Sequence, residues 1–582
     1  MKRITILPGI FVLIACQLIS AQPAADEYTA YRNAGFGNPI DTPFVLAGTF
    51  GEIRNDHFHT GIDFSTKEVQ GKSVYAAADG YVSRIKVSST GFGKAIYITH
   101  PNGFVTVYAH LQSFSEPVDK WVRKVQYKNE SFEIDEAVQP DKFKIKKGSV
   151  IALSGNSGSS TGPHLHFEIR DERTEEPINP LLFGYQITDT IKPDIKSARF
   201  YPVTGQGVVI DADLPRTYEV VQSEGRYVIP VTDYIQVFGK VGFEFSLTDY
   251  QNNNPSSLGI YSMQLVVDTH QVFSMKYDRL NFSDTRYVNA HIDYEALYDD
   301  NEVFERCFRL PGDKLKLYGD TSVTGFYEFL EDGVHDVSLT VKDFNGNTTH
   351  FTFQLLSYSS LVSAAYRTPP EDYFTMLPEK GLAIHKSEIE IIIPANSIYD
   401  VLLFTSMQLS KREGCYSHAY NVGDPHVPLH NSIILSMKPL NLPETLKQKA
   451  VIVSFNKKNK MVYEGNEWNK EFLSCKTKHF GTFAITADTV APLISIESLP
   501  ADKHKDGPAL RLNINDELSG IKSWRVTIDG KWHLFDYDAK NKLLSSRLDE
   551  FTAGKKHAMV VTATDAVGNT STFAKEITGT GK

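Results

Sequence analysis

Three segments of the chain occur twice, in the same order. Asp189-Thr190-Ile191-Lys192-Pro193 returns as Asp488-Thr489-Val490-Ala491-Pro492, "GIYSMQLVVD" (259–268) as "GIKSWRVTID" (520–529), and "HDVSLTVKDFNGNTT" (335–349) as "HAMVVTATDAVGNTS" (557–571). Ordered matches of this kind require one type of domain built twice, the first copy carrying long insertions. Short Val/Ile/Tyr/Phe/Thr runs punctuated by turn residues fill both copies and recur through the rest of the chain, which is the pattern of strands. With 582 residues the chain is too long for one core. The expected class is therefore all-β and multidomain. The Asp-x-x-Gly-Asn segments Asp343–Asn347 and Asp565–Asn569 are expected to act as turns rather than calcium sites, because one carboxylate per turn is a poor cage.

The chain opens with Lys2 and Arg3, an apolar run from Ile4 to Ile19, and the small-residue ending Ser20-Ala21-Gln22, which together read as an export signal over 1–21. Leu13-Ile14-Ala15-Cys16 resembles a bacterial lipobox, and lipidation at Cys16 is the second reading, since apolar residues continue beyond it. The expected location is the periplasm, the outer membrane or the cell surface, with membrane contact only through such a lipid. A net charge of -10 offers no basic field, so a nucleic-acid partner is not expected. Beyond the signal the cysteines are Cys307, Cys415 and Cys475. Cys415 and Cys475 fall in one proposed domain, but three buried thiols without a disulfide framework are the expected state.

From Leu46 to Phe183 strands and turns alternate densely, and Asp79-Gly80 and Asn102-Gly103 have the chemistry of hairpin turns. An antiparallel sheet is expected. The rhythm breaks after His110, where residues 114–143 form a charged insertion with a short hairpin or helix. It resumes in "SSTGPHLHFEIR" (159–170). Alternation there turns Leu165, Phe167 and Ile169 to the core and His164 and His166 to the other face, about 6.5–7 Å apart. Such a pair suits a metal or proton transfer, and equally a solvated sheet surface. "HFHTGIDF" (57–64) adds His59 and Asp63. One histidine of the pair, with His59 and Asp63, makes three ligands and leaves one tetrahedral position open, as a catalytic zinc requires. The other histidine of the pair and His110 then supply imidazoles for proton transfer.

Four motifs now stand in order: "HTGID", "VYAAADGYV", "YAHL" and "GNSGSSTGPHLHFEI". Through them the stretch from Gly48 to Pro180, roughly a quarter of the chain, resembles the lysostaphin-like, LytM-type zinc endopeptidases that cut peptide cross-links in bacterial cell walls. The resemblance implies that His59, Asp63 and His166 hold Zn2+, that His110 and His164 are catalytic, and that peptidoglycan stem peptides are the substrate. It leaves His57 outside the metal set; from their own context, His100 in "THPNG" reads as a turn residue, and Gly155, Gly158, Gly162 and Pro163 as shaping the turn that delivers His164. Residues 114–143 depart from the family, which runs quickly from "AHL" to the next strand, and are read as a wall or lid. The repeated segments resemble bacterial immunoglobulin-like sandwiches. The expected organisation is a signal at 1–21, a peptidase domain at 22–187, an immunoglobulin-like domain with insertions at 188–358, a β-rich unit without assigned chemistry at 359–487, and an immunoglobulin-like sandwich at 488–582. The partner of the carboxy-terminal array is unknown. Two other readings stand beside hydrolysis: a metal-free regulator of a cell-wall amidase, and an adhesive or scaffolding surface protein.

Overall fold

Leu165, Phe167 and Ile169 are each 0% exposed, so the strand carrying the histidine pair buries the face that its alternation predicts. The structure, a computed structural model, describes residues 28–210, 212–320, 322–364, 372–497, 509–547, 551–552 and 554–578; the export signal and Cys16 lie outside them. In the amino-terminal region the strands are β1 (Leu46–Gly48), β2 (Ile62–Ser65), β3 (Ser73–Tyr75), β4 (Gly80–Val87), β5 (Lys94–Thr99), β6 (Phe104–Ala109), β7 (Ser113–Phe114), β8 (Ile134–Ala137), β9 (Lys144–Ile145), β10 (Val150–Leu153), β11 (His164–Asp171) and β12 (Pro177–Ile178). Nine of them form one antiparallel sheet in the order β1-β2-β11-β6-β5-β4-β8, with β12 beside β11 and β9 beside β4. The strands β3-β10-β7 form a second, smaller sheet. Ile85, Ile96, Ile98, Tyr108 and Phe167, all fully buried, fill the space against the main sheet.

Asn102-Gly103 does close a hairpin, between the paired strands β5 and β6, with Gly103 at φ +83°. Asp79-Gly80 does not. The strands on either side of it belong to different sheets, and the Asp79 carboxylate accepts from the Lys147 N–H (2.8 Å) and Lys146 Nζ (2.9 Å) at this crossing.

The expected all-β class is wrong: the chain is 47% strand and 9% helix, a mixed α/β protein. Its longest described helix, Glu116–Asn129, lies in the insertion. Val118, Val122 and Gln126 are buried at helical spacing, Pro117 sits in the first turn, Glu116 and Asp119 meet the positive end of the helix dipole, and Lys128 meets the negative end. Charged residues on the outer face disguise this period when the stretch is read by strand alternation. Short helices at Val288–His291 and Tyr294–Asp300 lie within the insertions of the first repeat copy.

The duplicated segments have the same pairing in both copies. Ser262–Val267 pairs with Gly333–Lys342, which pairs with Thr348–Ser357; Ile521–Ile528 pairs with Lys556–Asp565, which pairs with Thr570–Thr578. The second copy consists of two four-stranded sheets sharing one core around Leu512, Ile514, Val526 and Val561. Residues 374–487 contain two five-stranded sheets, also around a common core. Cys307, Cys415 and Cys475 are buried free thiols.

The first repeat copy is tied closely to the amino-terminal region. Phe58, fully buried, packs on Tyr277 (5.9 Å between rings), the Leu46 N–H donates to Gln251 Oε1 (2.9 Å), and Asn254 Nδ2 donates to the Leu46 carbonyl (2.6 Å). The second copy returns to the same region. Trp532 meets Tyr127 of the insertion helix (5.2 Å), Arg525 pairs with Glu130 (2.7 Å), and Lys540 donates to the carbonyls of Asn156 (2.5 Å) and Ser160 (2.7 Å).

Candidate metal centre

Strands β2 and β11 are adjacent and antiparallel, with Asp63 opposite His166, and this pairing brings together residues a hundred positions apart. His59 reaches the same point from the turn before β2. Its Nε2 lies 3.1 Å from Asp63 Oδ1 and 3.0 Å from His166 Nδ1, and Asp63 Oδ1 lies 2.9 Å from His166 Nδ1. All three side chains are buried. The close approach needs Gly61, because a Cβ there would stand 2.5 Å from the Phe167 carbonyl oxygen and 2.9 Å from His166 Cε1.

Each donor is aimed by a bond on its far side. His59 Nδ1–H donates to the Thr49 carbonyl (2.7 Å), which leaves Nε2 as the lone pair facing the cluster. His166 Nε2–H donates to Glu168 Oε1 (3.0 Å), which turns Nδ1 inward. Asp63 Oδ2 accepts from Arg54 Nη2 (3.1 Å), which leaves Oδ1 for the cluster. Two imidazole nitrogens and one carboxylate oxygen converging in this way form a donor set suited to zinc, and outward hydrogen bonds of this type fix ligand tautomer and orientation. The residues present therefore fit the ion.

The other two predicted histidines stand beside this cluster. His110 follows β6 at φ +57°, a left-handed conformation unusual for a residue with a Cβ, and its ring lies 4.8 Å from His164 and 5.8 Å from His166. Its Nδ1–H donates to the Ser157 carbonyl (2.8 Å), and His164 Nδ1–H donates to the Gly162 carbonyl (2.8 Å). Each ring thus keeps Nε2 free to accept a proton. His164 Nε2 lies 3.4 Å from Asp63 Oδ1. The acceptor carbonyls sit on the loop that Lys540 holds, where Gly158 adopts φ +72° and a Cβ would meet the Gly91 carbonyl at 2.4 Å. His57 is exposed and bonds its neighbour Asp56 (2.7 Å). His100 is buried, held by the Asp79 carbonyl (2.9 Å) and Thr106 (2.7 Å), away from the cluster.

Charge is distributed unevenly among these groups. Burial, then the neighbouring imidazoles His164 and His166, push His110 down to about 3, so this ring is neutral at physiological pH. Burial also opposes charge on His166, but the Asp63 and Glu168 carboxylates outweigh it and raise that ring to about 9. Burial works against ionised Asp63 as well, yet the His59, His164 and His166 rings hold its carboxyl well below the usual range. Without metal, one proton on His166 Nδ1 occupies the point where a cation would sit. Metal binding must expel it. The sign follows: since His166 retains its proton below about 9, apparent zinc affinity should rise about tenfold per pH unit between 7 and 8 and level off above 9. Calorimetry at pH 7 in buffers of different ionisation enthalpy should find about one proton released per zinc; pH-independent affinity would refute this.

Glu168 is the residue that motif reading passed over. It is 0% exposed and accepts from Thr60 Oγ1 (2.5 Å) and Arg170 Nε (2.6 Å) as well as from His166. Burial opposes its charge, but Arg170, His166 and Thr60 bring its carboxyl down to about 2. The signal was present in the strand alternation, since His164, His166, Glu168 and Arg170 share one face of β11.

Residues 57–127 and 130–180 match the model of Peptidase family M23, and residues 375–488 match that of a Zu5-like domain. The DD-carboxypeptidase/endopeptidase Mpg of Neisseria meningitidis serogroup B is 36% identical over 123 residues, 21% of this chain and 22% of that protein. The peptidoglycan DD-endopeptidase ShyA of Vibrio cholerae is 32% identical over 137 residues, 22% of this chain and 26% of that protein. A crystallised catalytic domain of the prophage-encoded M23 protein EnpA from Enterococcus faecalis is 27% identical, covering 26% of this chain and 98% of that one with a TM-score of 0.19. The chain thus spans about a quarter of the length of the curated relatives it matches. What the family match and the geometry establish together is an M23/LytM-family metallopeptidase-like domain whose His59, Asp63 and His166 are able to coordinate a metal in the manner of a zinc site.

Proposed function

We propose that the chain is an exported zinc endopeptidase that hydrolyses peptide cross-links of peptidoglycan, with His59, Asp63 and His166 as ligands and His110 and His164 as the catalytic pair. The observation that carries this reading is the placement of two imidazoles, each with a free Nε2, beside three converging metal donors. When bound, zinc supplies Lewis acidity for a peptide carbonyl and lowers the pKa of water toward neutrality. The protein's own groups do the rest. His164 Nε2, nearer to Asp63, is placed to take a proton from the attacking water, and the lone pair on Nε2 of neutral His110 to accept a hydrogen bond from that water; the ring that gains the proton can pass it on to the leaving amine. The carbonyls of Ser157 and Gly162 keep both rings in the tautomer this division of labour needs.

The substrate class is supported by the names of the matched relatives, Mpg as a DD-carboxypeptidase/endopeptidase and ShyA as a peptidoglycan DD-endopeptidase, and such a substrate implies an exported enzyme. The intact donor set favours hydrolysis over a regulatory role that has no need of metal. We read the four units as a peptidase domain to 187 followed by two immunoglobulin-like copies flanking the Zu5-like unit. In that reading the second copy holds both the insertion, through Arg525 and Glu130, and the loop behind the catalytic pair, through Lys540.

The test is muropeptide mass spectrometry after incubating the zinc-loaded full-length protein with purified peptidoglycan. Cross-linked dimers should fall and monomers rise, with no change for chelated protein or for His164→Ala. Dimers that persist with fully loaded wild-type protein would overturn the proposed activity.

A further inference from the structure

Outside the peptidase region, acidic side chains gather twice, at matching places in the repeat. Asp189, Asp249 and Asp343 each offer a carboxylate oxygen within 4.8 Å of the others, and Asp488, Asp516 and Asp565 do the same. In each copy the first residue opens the Asp-Thr-x-x-Pro segment, the second lies at the end of a core strand (Ile235–Tyr250 or just past Ala509–Asn515), and the third begins the Asp-x-x-Gly-Asn turn. The turn alone has one carboxylate. Folding adds the other two.

Asp249 is the telling member. It is 3% exposed, and its Oδ1 is buried without any hydrogen-bond partner; Asp516 as a residue is only partly buried, but its Oδ1 is likewise enclosed and unpartnered. Among the described residues, no lysine or arginine is paired with any of the six carboxylates. One part of the surrounding hydrogen-bond scheme is repeated in both copies. Asp343 accepts from the Asn347 N–H (2.8 Å) and Nδ2 (2.6 Å), and Asp565 from the Asn569 N–H (2.8 Å) and Nδ2 (2.7 Å). The same two side chains also donate to the carbonyls of Asp189 (3.3 Å) and Asp488 (3.0 Å). Three acidic groups so close repel one another unless a cation or a proton joins them. Donors that are all oxygen select a hard ion, and oxygens 2.3–2.6 Å from one calcium lie within about 5 Å of each other.

We propose that each repeat copy binds one Ca2+, the first through Asp189, Asp249 and Asp343 and the second through Asp488, Asp516 and Asp565. The first site stands at the junction with the peptidase region. Just past Asp249, Gln251 accepts from the Leu46 N–H (2.9 Å) and donates to the Phe44 carbonyl (3.0 Å), and Asn254 donates to the Leu46 carbonyl (2.6 Å). Leu46 begins β1, whose Gly48 pairs with Asp63. An ion here joins the boundary segment, a core strand and a turn of the first copy behind the loop that clamps the metal-bearing sheet.

The test uses full-length protein prepared free of calcium and loaded with one zinc, titrated calorimetrically with CaCl2 and in parallel with MgCl2. Wild type should take up two calcium ions per chain, Asp249→Asn and Asp516→Asn one each, and the double variant none. Calcium should raise the melting temperature of wild type and leave that of the double variant unmoved. Without calcium, the double variant should melt no lower than wild type, because asparagine relieves the repulsion; a markedly lower melt would assign the carboxylates a purely structural role and overturn the proposal. So would absence of uptake at millimolar calcium, undiminished uptake by the double variant, or magnesium binding as tightly as calcium.

Discussion

Replacing His166 by alanine should abolish zinc binding and turnover together, whereas His164→Ala and His110→Ala should retain zinc and lose about 10²- to 10⁴-fold in turnover, the usual contribution of general acid and base groups. The geometry separates these outcomes. His166 Nδ1 lies 2.9 Å from Asp63 Oδ1 and 3.0 Å from His59 Nε2, within the donor cluster, while His164 and His110 stand at its edge, anchored by loop carbonyls. Metal analysis of the three purified variants, alongside their rates on cross-linked peptidoglycan, is the check. Equal zinc loss in all three would make the edge histidines ligands or structural props.

Glu168 should prove nearly as important as a ligand, although it touches no metal. Glu168→Ala leaves the His166 Nε2–H without its acceptor and strands the Arg170 guanidinium, which is 7% exposed, without its carboxylate. Breaking a buried ion pair from one side typically costs about 3–5 kcal/mol, so this variant is expected to melt far below wild type. Glu168→Gln keeps the shape and isolates the electrostatic part. Zinc affinity should fall about 10- to 100-fold, as for other residues that orient a metal-binding histidine. The number of protons released on zinc binding near pH 7 should also fall below one, because His166 loses a carboxylate that raises its pKa. Calorimetry and thermal melts of the two variants report these effects separately. Wild-type zinc affinity in the glutamine variant would mean that the His166 ring is held by packing alone, for example by Phe92 at 5.0 Å.

What could be read along the chain was whatever depends on local spacing. Period-two alternation assigned Leu165, Phe167 and Ile169 to the core, and the order of four short motifs marked His59, Asp63, His110, His164 and His166 as a set. Internal repetition announced two copies whose strands pair alike. Local spacing also misled. A helix is one of the two forms expected of the insertion, yet the expected class is still all-β, and the helix at Glu116–Asn129 helps overturn that. Asp79-Gly80 has the composition of a hairpin turn but joins two different sheets, because turn chemistry does not specify which strands will pair.

Tertiary structure decided everything that rests on contacts between distant segments. The β2–β11 register sets Asp63 opposite His166, and so brings a carboxylate from another strand to the ring that Glu168, on the same strand, already holds by Nε2. No spacing in the chain reveals that Lys540 reaches the loop behind His110 and His164, or that Asp249 and Asp516 complete clusters begun by boundary and turn aspartates. The reason is physical. A motif records which side chains one strand presents to one face, whereas a metal site is a set of lone pairs meeting at a point, and that point exists only once separate strands have packed.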